Sequence, residues 1–370
     1  MSQTEPTITQ TEKTIACSSC GGDLSYKPGT KSLKCKYCNS EQEIADVPAV
    51  AVTESDYHSV LQNSANLGDK QELHTVSCSS CAAVVTMKPN VVSDFCPYCG
   101  TDIIVSGGTS CSVLKPKYVL PFKIEVKAAK EEFNKWIKSL WWAPNSITKM
   151  QNNTEKLQGM YIPYWTYDTA THTKYSGMRG DYYYETESYT DSQGKTQTHR
   201  VRKTRWSSTS GYVSNKFDDV LVIASKSLPT KIADDLEPWD LKNLEGFTEH
   251  YLSGYRTEAY AVGLEDGFEV VKDKIKGVIN KTIESDIGGD TQQIISKDVD
   301  YNSITFKHIL LPLWISTFNF GGKSYRFLIN ARTGEVQGER PYSWIKITLA
   351  VIAALAVIAG IIVLIKMNQK

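Results

Sequence analysis

The stretch ITLAVIAALAVIAGIIVLI, residues 347–365, contains no charged side chain and decides the architecture of the chain. At about 1.5 Å per residue, a helix of this length spans roughly 28 Å, close to the roughly 30 Å of a bilayer core. Trp344 and Lys346 precede the stretch and Lys366 follows it, which is typical of a membrane span. A buried core helix is the alternative, but core helices seldom run this far without a polar face. The sequence therefore predicts a transmembrane helix over residues 345–366, close to the C-terminal end.

The rest of the chain has the composition of a folded protein with an uneven charge distribution. Its 370 residues are 41% hydrophobic and 22% charged, enough for two or more domains. Residues 1–115 carry eight lysines, no arginine and twelve acidic residues, a net charge of −4. Because a nucleic-acid-binding region usually carries a basic footprint, this acidity argues against nucleic acid as a partner.

Four Cys-x-x-Cys pairs form two sets, and each cysteine of the first set recurs 61 residues later in the second. Thiolates from two such pairs close a tetrahedron around a structural zinc ion, with no open position for water. Modules this small cannot bury a sufficient core, so metal binding would supply their folding energy. Disulfides are the alternative, but nothing routes these cysteines out of a reducing compartment. The predicted zinc ligands are Cys17, Cys20, Cys35 and Cys38 in a ribbon over 15–45, and Cys78, Cys81, Cys96 and Cys99 in a ribbon over 76–105.

The N-terminal sequence bears on the side of the membrane that the body occupies. Residues 1–14, MSQTEPTITQTEKT, lack the basic and apolar regions of a signal peptide and are predicted to be disordered. Thiolate sites also suit a reducing compartment. Four basic residues before the span and two after it weakly favour the same orientation. We therefore expect a single-pass protein with a cytoplasmic body.

The body, residues 115–343, is predicted to be α+β and mostly antiparallel, after a linker over 46–75. Apolar residues at helical spacing predict helices near 125–142 and 264–285, and a short helix is expected over Ser55–Asn63 with Ser55 as its cap. Aromatic and β-branched residues predict strands between 160 and 225, with a hairpin tip at 191–195, and further strands at 292–298, 304–318 and 324–330. The phrase Ile162-Pro163-Tyr164-Trp165 is echoed by Leu311-Pro312-Leu313-Trp314, which is weak evidence of an internal duplication.

The sequence contains no recognisable pattern of catalytic residues. Gly194-Lys195-Thr196 and Gly322-Lys323-Ser324 both lack the first glycine of a phosphate-binding loop. The acidic pairs Asp218-Asp219, Asp234-Asp235 and Asp286/Asp290 are more typical of turns and caps than of catalysis. We expect no enzymatic activity, no catalytic residue and no small-molecule substrate.

The basic run Arg200–Arg205 (RVRKTR) alternates along a predicted strand. Arg200, Arg202 and Thr204 would then face one side, and Val201, Lys203 and Arg205 the other. A solvated hairpin is the simplest interpretation. Attraction to anionic lipid or to nucleic-acid phosphate is the alternative.

The chain resembles a bacterial family of membrane proteins with two N-terminal four-cysteine ribbons. The phrases that carry the resemblance are LPF (120–122), GMYIPYWTYD (159–168), YSGMRGDYY (175–183), FDDVLVIAS (217–225), EPWDL (237–241), YLSGYRTEAY (251–260), DIGGD (286–290), FKHILLPLWI (306–315) and TGEVQGERPYSWIK (333–346). Members are often labelled TFIIB-type zinc ribbon or primosomal helicase-like, and are found near flotillin-like and phage-shock-A-like proteins. The resemblance implies a place at the bacterial inner membrane and transfers only the eight cysteines as site residues.

Two functions from different classes follow as hypotheses. The first is a tail-anchored scaffold or adaptor at the inner membrane, which uses paired zinc ribbons to dock membrane-associated proteins in membrane-stress or flotillin-like assemblies. The second is a membrane-tethered nucleic-acid-binding factor without helicase activity. The negative charge of residues 1–115 favours the first.

Overall fold

The computed structural model describes residues 15–44, 52–62, 70–81, 83–86, 93–104, 109–147, 157–190 and 194–368. The segment 1–14, part of the predicted linker and residues 191–193 of the hairpin tip lie outside these ranges. Within them the protein is α+β, with two groups of four cysteines and one long apolar helix near the C-terminal end.

The elements are numbered in chain order. The first cysteine group lies among β1 (Leu24–Tyr26), β2 (Ser32–Cys35) and β3 (Glu41–Glu43), followed by β4 (Ser55–Asp56) and α1 (Tyr57–Gln62). The second group lies among β5 (Lys70–Ser77), β6 (Val84–Thr86), β7 (Ser93–Phe95), β8 (Asp102–Ile104) and β9 (Thr109–Leu114). The body comprises β10 (Tyr118–Val119), α2 (Val126–Ser139), β11 (Gln158–Thr190), β12 (Thr196–Ile223), α3 (Thr230–Asp234), β13 (Glu245–Gly246), α4 (Glu249–Leu252), β14 (Arg256–Thr257), α5 (Leu264–Ile287), β15 (Thr291–Phe320), β16 (Lys323–Asn330) and β17 (Val336–Gly338), and α6 (Trp344–Asn368) follows it. We call residues 15–44 module 1 and residues 76–104 module 2.

Three long strands form the centre of the body. β11 has 33 residues, β15 has 30 and β12 has 28, and they lie in the order β12-β11-β15 with antiparallel neighbours. Along β11, every residue from Met160 to Tyr167 is buried, and burial then alternates as far as Tyr175. Both faces of the sheet are therefore covered at one end, and only one face is covered farther along.

The body is built from two copies of one unit. A short strand, a helix and two antiparallel strands follow one another as β10–α2–β11–β12 and again as β14–α5–β15–β16. β10 pairs parallel with β15 and β14 pairs parallel with β11, so each short strand joins the other copy. The indole N–H of Trp165 donates to the Val262 carbonyl at 2.9 Å, and that of Trp314 donates to the Ile124 carbonyl at 2.9 Å. The duplication that the echoed phrases indicate is therefore present in the fold.

Two layers cover opposite faces of the central sheet. α2, α5 and module 1 pack on the face that carries Tyr161, Trp165 and Trp314. α3 and module 2 pack on the other face, which carries Ile162 and Tyr164. The two cysteine modules therefore contact the same sheet from opposite sides.

One end of the sheet continues as a two-stranded projection. The last pair between β11 and β15 joins Gly180 to Thr291, and β11 then pairs only with β12. We call residues 181–190 and 196–205 the arm. Ten residues of strand extend about 33 Å. β17 pairs with β16 near the Gln158 end of β11, so α6 begins at the end of the sheet opposite to the arm.

Several predicted elements differ in detail. α2 ends at Ser139, three residues before the predicted end, and Trp141 is exposed instead of packed on the helical face. The strands predicted at 292–298 and 304–318 are one continuous strand, β15. α1 begins after Asp56, whose carboxylate accepts a hydrogen bond from the Ser59 N–H at 2.7 Å, so Asp56 and not Ser55 caps this helix.

α6 corresponds to the predicted span. Residues Trp344–Met367 form a helix long and apolar enough to cross a membrane, and none of its most apolar window is buried against the body. A helix that is apolar all round and uncovered by protein is suited to a bilayer.

Candidate metal centres and their surroundings

The four cysteine sulfurs of module 1 lie close enough to share one metal ion. Cys17 Sγ is 3.6 Å from Cys38 Sγ, and Cys20 Sγ is 3.5 Å from Cys35 Sγ. All four sulfur atoms lie within 4.8 Å of one another. A tetrahedral ion with metal–sulfur bonds of about 2.3 Å requires sulfur separations of about 3.8 Å. The donor set therefore fits a closed four-coordinate site.

Module 2 has the same arrangement. Cys78 Sγ is 3.6 Å from Cys99 Sγ, and Cys81 Sγ is 3.6 Å from Cys96 Sγ. The four sulfurs again lie within 4.8 Å of one another. All eight cysteines predicted as ligands are thus brought together in the two predicted sets of four.

The backbone around the sulfurs is also repeated. The Cys17 N–H donates to the Gly22 carbonyl at 2.7 Å, and the Cys78 N–H donates to the Ala83 carbonyl at 2.8 Å. These pairs are 61 residues apart in sequence, as the cysteines are. The duplication of the modules therefore extends from the ligands to the turns that hold them.

A hydroxyl group supports the thiolate form in module 1. Ser40 Oγ lies 2.9 Å from Cys17 Sγ. This hydroxyl, together with the Ser19 N–H, lowers the pKa of the Cys17 thiol to about 6. Thr101, 61 residues after Ser40, lies 3.3 Å from Cys99 Sγ in module 2. A hydroxyl that favours thiolate also favours metal binding, because the thiolate is the ligand.

Module 2 inserts one side chain deeply into the body. Tyr98, between the last two cysteines of the module, is 0% exposed. Its hydroxyl donates to the Glu258 carboxylate, which also accepts hydrogen bonds from Ser225 Oγ at 2.9 Å and Ser227 Oγ at 2.5 Å. Burial raises the pKa of Glu258 to about 7, against the opposing effect of these donors. Arg326 Nε donates to the Tyr98 carbonyl at 2.8 Å.

Module 1 leaves the equivalent side chain outside. Tyr37 occupies the position of Tyr98 in the repeat and is 74% exposed. Cys20 and Cys38 are exposed as well, whereas Cys81 and Cys99 are only partly exposed. Module 1 instead contacts the body on its other side, where the Tyr26 N–H donates to the Ser253 carbonyl at 2.9 Å.

A group of acidic side chains surrounds one buried lysine at the margin of the covered sheet. Lys307 Nζ lies 3.0 Å from Glu54, 2.8 Å from Asp219 and 3.9 Å from Asp168. Burial raises the pKa of Asp168 to about 7, and the Asp168 carboxyl lowers the pKa of Glu54 to about 2. β12 and β15 each bulge beside Asp168, whose carboxylate accepts the Asp219 N–H at 2.6 Å. Lys307 therefore joins Glu54, which directly precedes β4, to the sheet beside the bulges of β12 and β15.

The acidic pairs named from the sequence have structural partners. Asp234 pairs with Lys274 at 2.7 Å, Asp286 accepts the Tyr175 hydroxyl at 2.5 Å, and Asp290 accepts the Tyr182 N–H at 2.6 Å. Asp234 thus joins α3 to α5, whereas Asp286 and Asp290 join a helix or loop to β11, and these contacts are sufficient to explain the three positions.

The arm separates its side chains into two chemically different faces. Register places Tyr182, Tyr184, Arg200 and Arg202 of the arm on one face, together with Trp206 at its base; we call this the aromatic face. Arg202 stacks 4.3 Å from the Tyr182 ring centre, and Arg200 stacks 5.3 Å from that of Tyr184. No acidic residue of the arm lies on this face among the described positions.

The opposite face of the arm is mixed in charge. Lys203 lies 2.5 Å from Glu185 and 2.8 Å from Glu187. Asp181 and Arg205 lie on the same face, and Arg205 stacks over Tyr183. The alternation predicted for Arg200–Arg205 is therefore present, and it places the ion pairs of the arm on one face only.

Comparison with known proteins gives a relative of nearly full length. The chain is 26% identical over 329 residues to a Bacillus subtilis protein named "Uncharacterized protein YdjG". The aligned residues make up 88% of this chain and 89% of that protein. No family model matches the chain. No solved structure matches it either.

No pattern in the sequence indicates two features of these sites. Glu258 lies within the phrase Tyr251–Tyr260 but follows no charge pattern, and it meets Tyr98 only through the docking of module 2. Lys307 and Asp168 are each a single charged residue within a strand rich in aromatic side chains. Their contact depends on the register of β11 with β15. Only the offset between Tyr37 and Tyr98 could have drawn attention to these tyrosines.

Proposed function

We propose that the protein is a non-enzymatic scaffold, anchored by α6 in the bacterial inner membrane, that binds membrane-associated proteins from a cytoplasmic body. The observation that carries this proposal is the arm, which continues for ten residue pairs beyond the last strand that flanks it. A two-stranded ribbon of this length is only marginally stable without packing. Tyrosine, tryptophan and arginine are the residues enriched at the energetic centres of protein interfaces.

The two cysteine modules act in this proposal as zinc ribbons with one structural zinc ion each. Four thiolates and no other ligand are typical of structural zinc. Module 1 and its exposed Tyr37 form a second docking surface, whereas the corresponding Tyr98 of module 2 is used inside the protein. We therefore propose that the docking role of the ribbons belongs to module 1, and the exposure of Tyr37 supports this.

The position of the arm favours protein partners over lipid. α6 begins at the end of the sheet opposite to the arm. The 22 residue steps of β11 between Gln158 and Gly180 correspond to roughly 70 Å of strand, before the arm itself begins. The arginines of the arm are thus held away from the headgroups, beyond the reach of the surface potential of the membrane.

Cross-linked purification from membranes tests the proposal. The variant Tyr182→Ser/Tyr184→Ser/Trp206→Ser removes the rings of the aromatic face, and Tyr183→Ser with Arg205→Ser is the matched control on the opposite face. We expect the first variant to recover at least tenfold less cross-linked partner protein than the wild type, and the control to recover as much as the wild type. Equal recovery from both variants would contradict a docking role for the aromatic face. A Tyr37→Ser variant measures the contribution of module 1 separately.

The arm also favours one second candidate, the binding of single-stranded nucleic acid. Aromatic rings and arginines on one face are the groups on which unpaired bases stack. The acidic residues of the opposite face and the net charge of −4 over residues 1–115 weaken this interpretation. We expect weak binding of single-stranded DNA at physiological salt. A tight complex whose affinity falls steeply with salt would favour this candidate over the scaffold.

A further inference from the structure

The loop that follows α2 exposes its largest apolar side chains and buries its smaller ones. Trp141 is 76% exposed and Trp142 is 41% exposed, whereas Leu140 and Ala143 are buried. Burying an indole in place of Ala143 would remove far more apolar surface from water. Two adjacent exposed tryptophans form an apolar patch of the kind that marks a contact with a partner or a membrane.

The same loop is bound to the first turn of α6. The Ser343 N–H donates to the Trp142 carbonyl at 2.7 Å. Lys346 Nζ donates to the Trp141 carbonyl at 2.9 Å and to the Ala143 carbonyl at 2.8 Å. Three consecutive carbonyls of the loop thus have donors from the base of the apolar helix. Carbonyls that already have donors within the protein lose no hydrogen bond when the loop moves from water towards lipid.

The surface around the loop continues the composition of a membrane interface. Tyr342 and Trp344 are exposed beside the loop, on the chain that leads into α6. Residues 138–147 and 340–346 together contain three basic residues, Lys138, Arg340 and Lys346, and no acidic residue. Tryptophan and tyrosine concentrate at the headgroup level of membranes, and basic residues are attracted to anionic lipids.

We propose that Trp141 and Trp142 insert into the headgroup region of the bilayer that α6 crosses, as a second membrane contact of the body. The inference rests on the membrane anchoring in the proposed function. Contacts with the bilayer at both the loop and α6 would fix the orientation of the body, because the loop and the helix are joined by the bonds of Ser343 and Lys346. A body held in this way directs the arm away from the membrane surface.

Fluorescence quenching tests this contact with the full-length protein. The protein is reconstituted into vesicles of phosphatidylethanolamine and phosphatidylglycerol whose acyl chains carry bromine near the headgroups. With three indoles at the interface, Trp141, Trp142 and Trp344, the Trp141→Phe/Trp142→Phe variant should lose about two-thirds of the emission that brominated lipid quenches. The control Trp239→Phe changes an indole buried in the body beside module 2, and it should leave the quenched emission unchanged.

The outcomes separate this inference from the proposed function. If the quenched emission is the same in the double variant and the wild type, the loop does not touch lipid. The inference is then wrong, whereas the anchoring by α6 is not contradicted. Indoles covered by a protein partner would give this same result. If alkaline carbonate releases the protein from the vesicles and no emission is quenched, both the anchor and the inference fail. The single variants Trp141→Phe and Trp142→Phe give the same comparison if the double variant folds poorly.

Discussion

Modules 1 and 2 are repeats of one sequence pattern that the fold uses in different ways. In both modules, each sulfur of the first Cys-x-x-Cys pair lies 3.5–3.6 Å from one sulfur of the second pair. They pack on opposite faces of the central sheet. Tyr98 of module 2 is enclosed by the body, and Tyr37 of module 1 is exposed to solvent. The ligand set is thus conserved between the repeats, whereas the surroundings of the site are not.

Two modules with the same set of four cysteines can therefore place the turn of the second Cys-x-x-Cys pair in different surroundings. In module 2 the second Cys-x-x-Cys turn is a structural joint, because Tyr98 and the Arg326 guanidinium connect it to the body. In module 1 the joint lies on β1, through the Tyr26 N–H, and the turn with Tyr37 is left accessible. We infer that module 2 stabilises the body and that module 1 remains available to partners.

The largest expected effect comes from truncating the two equivalent tyrosines. Tyr98→Ala removes a fully buried ring and its hydrogen bond to Glu258, so we expect a loss of about 3–5 kcal/mol in unfolding free energy. Tyr37→Ala removes an exposed ring, and its effect should stay within about 0.5 kcal/mol. Thermal unfolding of both full-length variants in the same detergent and zinc concentration measures the difference. Equal destabilisation would show that the two turns are equivalent after all.

A smaller effect concerns the pH dependence of the Tyr98 contact. The pKa of Glu258 is raised by burial to about 7, so the folded state retains its proton at pH values where the unfolded chain has lost it. The contribution of Glu258 to stability is therefore greatest below its unfolded pKa and is lost as the pH rises towards 7. Relative to Glu258→Gln, which cannot ionise, the wild type should lose about 1 kcal/mol of stability between pH 6 and pH 8.

Denaturant unfolding of the wild type and Glu258→Gln at the two pH values checks this expectation. Loss of zinc at the lower pH affects both proteins, so the difference between them isolates the carboxyl group. A Glu335→Gln variant at an exposed position of the body is the control for a Glu-to-Gln substitution as such. A difference between wild type and Glu258→Gln that does not change with pH would contradict the buried, protonated carboxyl.

Much of the architecture could be predicted from the sequence because its signals are local. The spacing of the eight cysteines and the uncharged stretch at 347–365 depend only on neighbours in the chain. Helical spacing located α5 within a few residues of Leu264–Ile287. The end of α2 was misplaced because Trp141 continues the helical pattern, although in the structure it belongs to the loop bound by Lys346.

The contacts between distant segments could not be predicted in the same way. Tyr98 and Glu258 are 160 positions apart, and no pattern around Glu258 distinguishes a buried carboxyl from a surface one. The faces of Arg200–Arg205 followed from alternation, but the absence of acids on the aromatic face depends on the register with β11. The faces of the sheet on which the modules pack are likewise tertiary properties.

The rate of zinc release tests whether the two modules, which have the same four-cysteine set, differ in the accessibility of their sites. Full-length protein with two bound zinc ions is mixed with an excess of a chromogenic chelator, and the release of zinc is followed with time. Because Cys20 and Cys38 are exposed and all four ligands of module 2 are at most partly exposed, we predict one fast and one slow phase, with one ion in each. Cys20→Ser should remove the fast phase and Cys81→Ser the slow one. Release of both ions in a single phase, or loss of the fast phase in Cys81→Ser alone, would contradict the account.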